Sequence, residues 1–213
     1  MPRDKSAAHG RIVEAARREF LARGYQGASL RRIAEEAGLT AAGLYRHFDG
    51  KEAMFLALTE PAVRRAEAWR RERAAGRKSA PLRGGEPWRD DLPDLMREVV
   101  YPNGEDYRLL LSRPAGGPGE DWLDRLAAEL QRETERLLPM LRDQGYPARP
   151  VGGTALRLLF RAYLTALLEP VVRGYPEKEA LDCLETAAAF FRPGWRRLLG
   201  LDRGAGGRGA REW

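Results

Sequence analysis

A chain of 213 residues has room for one medium domain, or for a small domain joined to a larger one, with a sizeable core. At 43% hydrophobic and 32% charged it is composed like a globular protein, and no apolar run approaches the ~20 residues of a membrane span. The formal net charge of +6 is held at one end: residues 1–78 carry 17 Lys and Arg against 10 Asp and Glu, residues 79–213 carry 20 against 21. That asymmetry suits a chain whose N-terminal part meets phosphates and whose remainder does not.

The N-terminal residues MPRDKSAAHGR lack the apolar core of a signal peptide, so a cytoplasmic protein is expected. Residues 1–8 read as a disordered basic arm carrying Arg3 and Lys5. A first helix is predicted over 8–23, with Ile12, Ala16 and Phe20 as its buried stripe and Gly24 at its end. Residues 29–48, SLRRIAEEAGLTAAGLYRHF, read as two short helices around a tight turn. Leu30, Ile33, Ala34 and Ala37 make one apolar stripe, and Ser29 stands where a hydroxyl caps the first turn, a contribution of roughly 1 kcal/mol. Gly38 supplies the turn, Thr40 caps the second helix, and Leu44, Tyr45 and Phe48 follow. Small Ala34 lets the two helices cross closely. Helix, short Gly-containing turn, helix is the helix-turn-helix unit, whose second helix enters a DNA major groove; an ordinary αα corner has the same spacing.

A fourth helix is predicted over 51–74, with a kink or break at Pro61. Its arginines from Arg64 to Arg73 fit a solvated face or an extension of a DNA-facing surface. Residues 76–88, rich in Gly and Pro, read as a connection. Further helices are predicted over 91–100, 103–112 and 121–144, the last bent at Pro139, with loops at 114–119 and 145–150. Residues 153–169 are apolar on nearly every side except at Arg157 and Arg161, which predicts burial all round. A helix over 175–191, an apolar tail over 194–201 and a disordered end over 202–213 complete the chain. No alternating strand pattern competes, so the class is all-α.

From Ile12 to Phe55 the chain resembles the TetR family of bacterial transcriptional regulators. The resemblance rests on Gly24-Tyr25, Ser29, Ile33-Ala34, Ala37-Gly38-Leu39, Leu44-Tyr45, Phe48 and Lys51-Glu52, and covers about the first quarter of the chain. It implies an N-terminal three-helix helix-turn-helix DNA-binding domain over 9–60 and a connecting helix and loop over 61–90. A C-terminal helical bundle over 91–201, for ligand binding and dimerisation, would follow. The implied partners are a double-stranded DNA operator, a small-molecule effector and a second copy, met through helices near 153–169 and 175–191. The implied function is a dimeric repressor that releases its operator on binding the effector. A monomer with these helices as its core, and an adaptor or ligand-independent regulator acting through protein contacts, are the alternatives.

The candidate DNA-binding residues divide by role. Thr40 and the recognition-helix N-terminus can hold a phosphate, and Tyr45 resembles the family tyrosine that donates to one. Lys51, at the start of the fourth helix, and Ser29, Arg31 and Arg32, at the start of the second, are further candidates for backbone contacts. Base reading falls to Ala41, Ala42, Gly43, Arg46 and His47, with Arg46 the candidate for a bidentate pair with guanine. Ala41 and Gly43 depart from the family pattern, which favours Lys or Arg at the first and Thr or Ala at the second. With 33 Arg and only 4 Lys, the basic composition also fits a GC-rich genome and is not itself a sign of phosphate recognition.

No catalytic set is evident, so an enzyme is not expected. The two histidines, His9 and His47, and one cysteine, Cys183, cannot build a common zinc site, and no cofactor or metal is expected. Cys183 reads as a small buried hydrophobe. Trp88, Met96, Tyr107, Leu111, Trp122, Phe160 and Tyr163, with Arg161 as an anchor for an anionic group, are the ligand-binding candidates; simple core packing accounts for them equally well.

Overall fold

The computed structural model describes residues 3–79, 88–112 and 118–202, with side chains over 6–76 in the first of these segments. Nine α-helices are formed by the described residues: α1 (Arg3–Gly27), α2 (Leu30–Glu36), α3 (Ala41–Tyr45), α4 (Lys51–Ser79), α5 (Leu92–Leu95), α6 (Gly104–Leu111), α7 (Pro118–Asp143), α8 (Gly153–Arg173) and α9 (Glu177–Leu199). A π-helical turn (Met96–Val100) and a 3₁₀ turn (Tyr101–Asn103) join α5 to α6. The fold class is all-α.

Two cores are built from these helices. In the first, α1, α2, α3 and the start of α4 enclose Ile12, Phe20, Ile33, Leu44, Met54 and Phe55, all without exposed surface. Each such side chain stabilises by roughly 1.5–3 kcal/mol relative to an exposed one. Gly24 (φ 65°, ψ 174°) interrupts the winding of α1, and Tyr25 beyond it packs edge-on against Phe55 at 5.1 Å. The second core lies among α5 to α9, around Met96, Tyr107, Leu110, Leu156, Leu164 and Leu167.

α6 belongs to both. Leu109 completes the first core, while Tyr107 and Leu110, on the other side of the same helix, fill the second. Tyr107 donates its hydroxyl to the Ala62 carbonyl of α4 at 2.8 Å. Asp106 accepts from Arg17 of α1 with one carboxylate oxygen and from Arg65 of α4 with the other. The next helix is seated tightly on α6: a Cβ at Gly119 would lie 2.3 Å from the Leu110 carbonyl oxygen, so no larger residue fits.

Several expectations are corrected. α1 begins at Arg3, so most of the stretch read as a disordered arm is helical. α4 passes through Pro61 without a break and continues to Ser79, beyond the predicted end. Pro139 and Pro193 likewise lie inside helices. Each proline removes one backbone donor, toward Ala57, Glu135 and Ala189 respectively, and all three of these residues are exposed. The predicted helix over 91–100 is instead the short α5 followed by the π-helical turn. α8 and α9 are longer than expected, and residues 194–199 continue α9 rather than forming a separate tail. Nor is α8 buried all round: Leu158 is 69% exposed, and Ala162 and Val172 on the same side are also exposed. The loop expected over 76–88 and the terminal segment over 202–213 lie largely outside the described residues.

Candidate nucleic-acid interface

The geometry around α2 and α3 follows from local sequence rules. Ser29 Oγ accepts the Arg32 N–H at 3.5 Å at the start of α2, and Thr40 Oγ1 accepts the Gly43 N–H at 3.1 Å at the start of α3. Gly38, at φ 70°, turns the chain between them in the left-handed region that glycine adopts without a steric cost. There the Gly38 and Leu39 amides return to the Glu35 and Ala34 carbonyls, closing the end of α2. Leu44, fully buried, fastens α3 to α1 and α2.

Ala41, Ala42, Tyr45 and Arg46 therefore stand on the outer face of α3 and its C-terminal cap, with Tyr45 55% exposed. Gly43 is half-buried. Arg46 has no ion-pair partner among the described residues. Arg31 also faces outward, its side chain 85% exposed although paired with Glu35 at 2.9 Å. His47 is half-buried beside His9 of α1, ring centroids 5.9 Å apart, and His9 stacks on Phe48 at 5.1 Å.

Two of the predicted phosphate contacts, Lys51 and Arg32, hold partners within the chain. The Lys51 ammonium donates to the Gln26 carbonyl at 3.1 Å and the Ala28 carbonyl at 3.0 Å, and lies 4.8 Å from the centre of the Tyr25 ring. It closes the link between α1 and α2. Arg32 donates to Glu19 at 2.8 and 2.5 Å and to the Gly27 carbonyl at 2.7 Å. Burial pushes the Glu19 carboxyl up, but the hydrogen bonds from Arg32 and the Ser29 amide outweigh it and hold the group below its ordinary value. Ser29 and Thr40 act as helix caps through the same oxygens assigned to phosphate. The side chains of Arg3 and Lys5 lie outside the described residues.

The arginine run of α4 is largely spent inside the molecule. Arg65 meets Asp106, Arg70 meets Glu133 at 3.0 Å, and Arg73 meets Asp94 at 2.5 Å, so the run ties α4 to α6, α7 and α5. These partners, together with Glu19 and Leu109, are not legible in the sequence because they come from distant parts of the chain.

Most of the ligand candidates are core. Met96, Tyr107, Trp122 and Tyr163 are buried, and Leu111 packs against them. Burial pushes the Tyr107 phenol up to about 12, and Tyr163 is likewise held high, first by burial and then by Asp90, to which it donates at 2.6 Å. Arg161 pairs with Asp124 at 3.4 Å. Trp88 and Phe160 alone of the eight line the 710 Å³ cleft between α4, α7 and α8, with Trp69, Leu92, Leu130 and Leu137 among the other walls.

A capped helix pair, a left-handed glycine turn and an exposed second helix on a buried frame define a helix-turn-helix protein. Residues 12–58 match the sequence model of the bacterial regulatory proteins of the tetR family. Over these residues the chain is similar to the TetR family. The HTH-type transcriptional repressor AcnR of Corynebacterium glutamicum is 47% identical over 57 residues, which are 26% of this chain and 30% of AcnR. The match thus spans under a third of that relative's length. The TetR-family regulator PfmR of Thermus thermophilus is 26% identical, covering 91% of this chain and 100% of PfmR, with a TM-score of 0.48. A proposed fatty acid metabolism regulator of Clostridium perfringens is 19% identical over 85% of this chain and 97% of its own, with a TM-score of 0.52, a likeness of fold alone.

Proposed function

We propose that the protein is a sequence-specific DNA-binding transcriptional regulator, not an enzyme, that acts as a homodimer and releases its operator when a small molecule binds the C-terminal helices. The observation that carries this reading is the outer face of α3. Ala41, Ala42, Tyr45 and Arg46 are presented to solvent while everything behind them is capped and packed. Arg46, free of partners among the described residues, is the base-reading candidate; Tyr45 and Arg31 are candidates for phosphate. The repressor sense follows the AcnR relatives, which are named as repressors.

The dimer reading is supported by the exposed apolar residues of the last two helices. Leu158 is 69% exposed on α8, Phe190 is 78% exposed on α9, and Val172 is 41% exposed. A second copy would cover them, and two reading helices would then meet two half-sites. Release by a ligand is supported by α6, which is held by Arg17 of the DNA-reading domain on one side and packed into the bundle core on the other.

Enrichment from a random duplex library tests the whole reading. The expected product is an inverted repeat with two equivalent half-sites. A library that emerges without sequence enrichment would overturn sequence-specific binding, and a lone half-site would overturn the dimer.

A further inference from the structure

The cleft between α4, α7 and the Trp88–Leu92 stretch has a chemistry of its own. Its 710 Å³ falls in the ~300–1,000 Å³ range of small-molecule sites. Trp69, Trp88 and Phe160 supply aromatic walls, with Leu92, Leu130 and Leu137 between them. Two of the rings are held by neighbours: Phe160 stacks on Trp195 at 4.5 Å, and the Arg73 guanidinium, which also lines the cleft, lies 4.8 Å from the centre of Trp69. Phe160 and Trp69 are therefore held in place without a ligand.

Its charges are unevenly spent. Glu133 is paired with Arg70 at 3.0 Å and Asp91 with Arg89 at 3.4 Å, so both lining carboxylates already have a cation. Arg73 is paired with Asp94. Arg136, on the exposed rim formed by α7, has no ion-pair partner among the described residues. A cationic ligand would have to displace an existing pair, whereas an anionic one meets an open guanidinium.

We propose that this cleft binds a small molecule with a flat aromatic body and one anionic group, the rings against Trp88 and Phe160 and the anion at Arg136. The proposal rests on the reading of the protein as a ligand-responsive regulator and adds the class of its effector. Flat rings suit these walls because offset or edge-on contacts with aromatic side chains stabilise beyond the area buried.

Three probes separate the parts of the proposal in the full-length protein. 1-Anilinonaphthalene-8-sulfonate carries rings and an anion, N-phenyl-1-naphthylamine carries the rings alone, and decane-1-sulfonate carries the anion on an aliphatic body. The sulfonated dye is expected to bind at one per chain, about tenfold more weakly in Arg136→Ala and at wild-type strength in Arg136→Lys. The uncharged dye is expected to bind wild type and Arg136→Ala equally. Ala74→Trp, which fills the cleft from an exposed position on α4, is expected to abolish both. Decanesulfonate is expected to displace the dye only at more than tenfold the concentration of naphthalene-1-sulfonate.

Equal affinity of the sulfonated dye for wild type and Arg136→Ala would overturn the anion assignment. Undiminished binding to Ala74→Trp would place the dye elsewhere, for instance on the Leu158–Phe190 face, and overturn the cleft. Equal competition by decanesulfonate would overturn the aromatic requirement. Retention of enriched duplex DNA, measured in the same titrations, reports separately on ligand response. Cleft binding without DNA release would support the site and count against the effector reading. Release by another compound that leaves the dye in place would do the reverse.

Discussion

Lys51 donates to two carbonyls of the α1–α2 link and covers the Tyr25 ring, so its position is set by the fold before any DNA is present. Charge-assisted hydrogen bonds of this kind contribute about 1.5–3 kcal/mol, less when water can substitute. Lys51→Met is expected to lower stability by about 1–2 kcal/mol, read from denaturant midpoints, with the salt dependence of DNA binding unchanged. A salt slope shallower by about one phosphate contact would mean that Lys51 faces DNA instead. Glu19 holds the other side of the same region, its carboxyl 8% exposed beneath Arg32. Its folded value lies below the ordinary 4.5, so its contribution is present above that pH and is lost as the pH falls through the folded value. Glu19→Gln is therefore expected to lower stability by about 1–3 kcal/mol at neutral pH and by progressively less in acid. A pH-independent difference would rule out the carboxylate as the cause. The caps at Ser29 and Thr40 and the turn at Gly38 were legible in the sequence because each acts within three or four residues. Glu19 with Arg32, 13 residues apart, and Lys51 with Gln26 and Ala28 follow no local pattern.

α6 is eight residues long and joins the two cores. Its apolar spacing marked a helix over this stretch, but periodicity does not reveal that opposite faces enter different cores. Asp106 adds a polar tie to the packing, since Arg17 and Arg65 both depend on it. Asp106→Asn leaves two partly buried guanidinium groups with a weaker partner, and a loss of about 1–2 kcal/mol is expected in thermal unfolding. An unchanged transition would show that Leu109 and Tyr107 alone hold the two cores together. The arginines of α4 illustrate the same limit. Their side of the helix was readable as charged, but only the fold supplies Asp106, Glu133 and Asp94 as partners, and these take up three of the arginines.

For the molecule as a whole, the all-α class, the helix-turn-helix and the two long closing helices were legible from apolar periodicity. α8 is less buried than its apolar pattern predicts, because a single chain leaves Leu158, Ala162 and Val172 uncovered. An apolar pattern records every surface a helix hides, including one hidden by a second copy. If α8 and α9 pair across a dimer, Phe190→Glu buries a charge without a partner. Light scattering is expected to give twice the chain mass for the wild type and the single-chain mass for this variant. A wild type at single-chain mass would contradict the dimer.

Whether the outer face of α3 reads base sequence is decided at Arg46. Fluorescence anisotropy with DNA from upstream of the protein's own gene and with a scrambled fragment, at two salt concentrations, measures both preference and phosphate attraction. Wild type is predicted to prefer the upstream duplex and to keep that preference at the higher salt. Arg46→Ala is predicted to lose about 1–3 kcal/mol of the preference while retaining the salt-dependent part. Equal, steeply salt-dependent binding of wild type to both fragments would rule out sequence reading, and an undiminished preference in Arg46→Ala would rule out Arg46 as the reader.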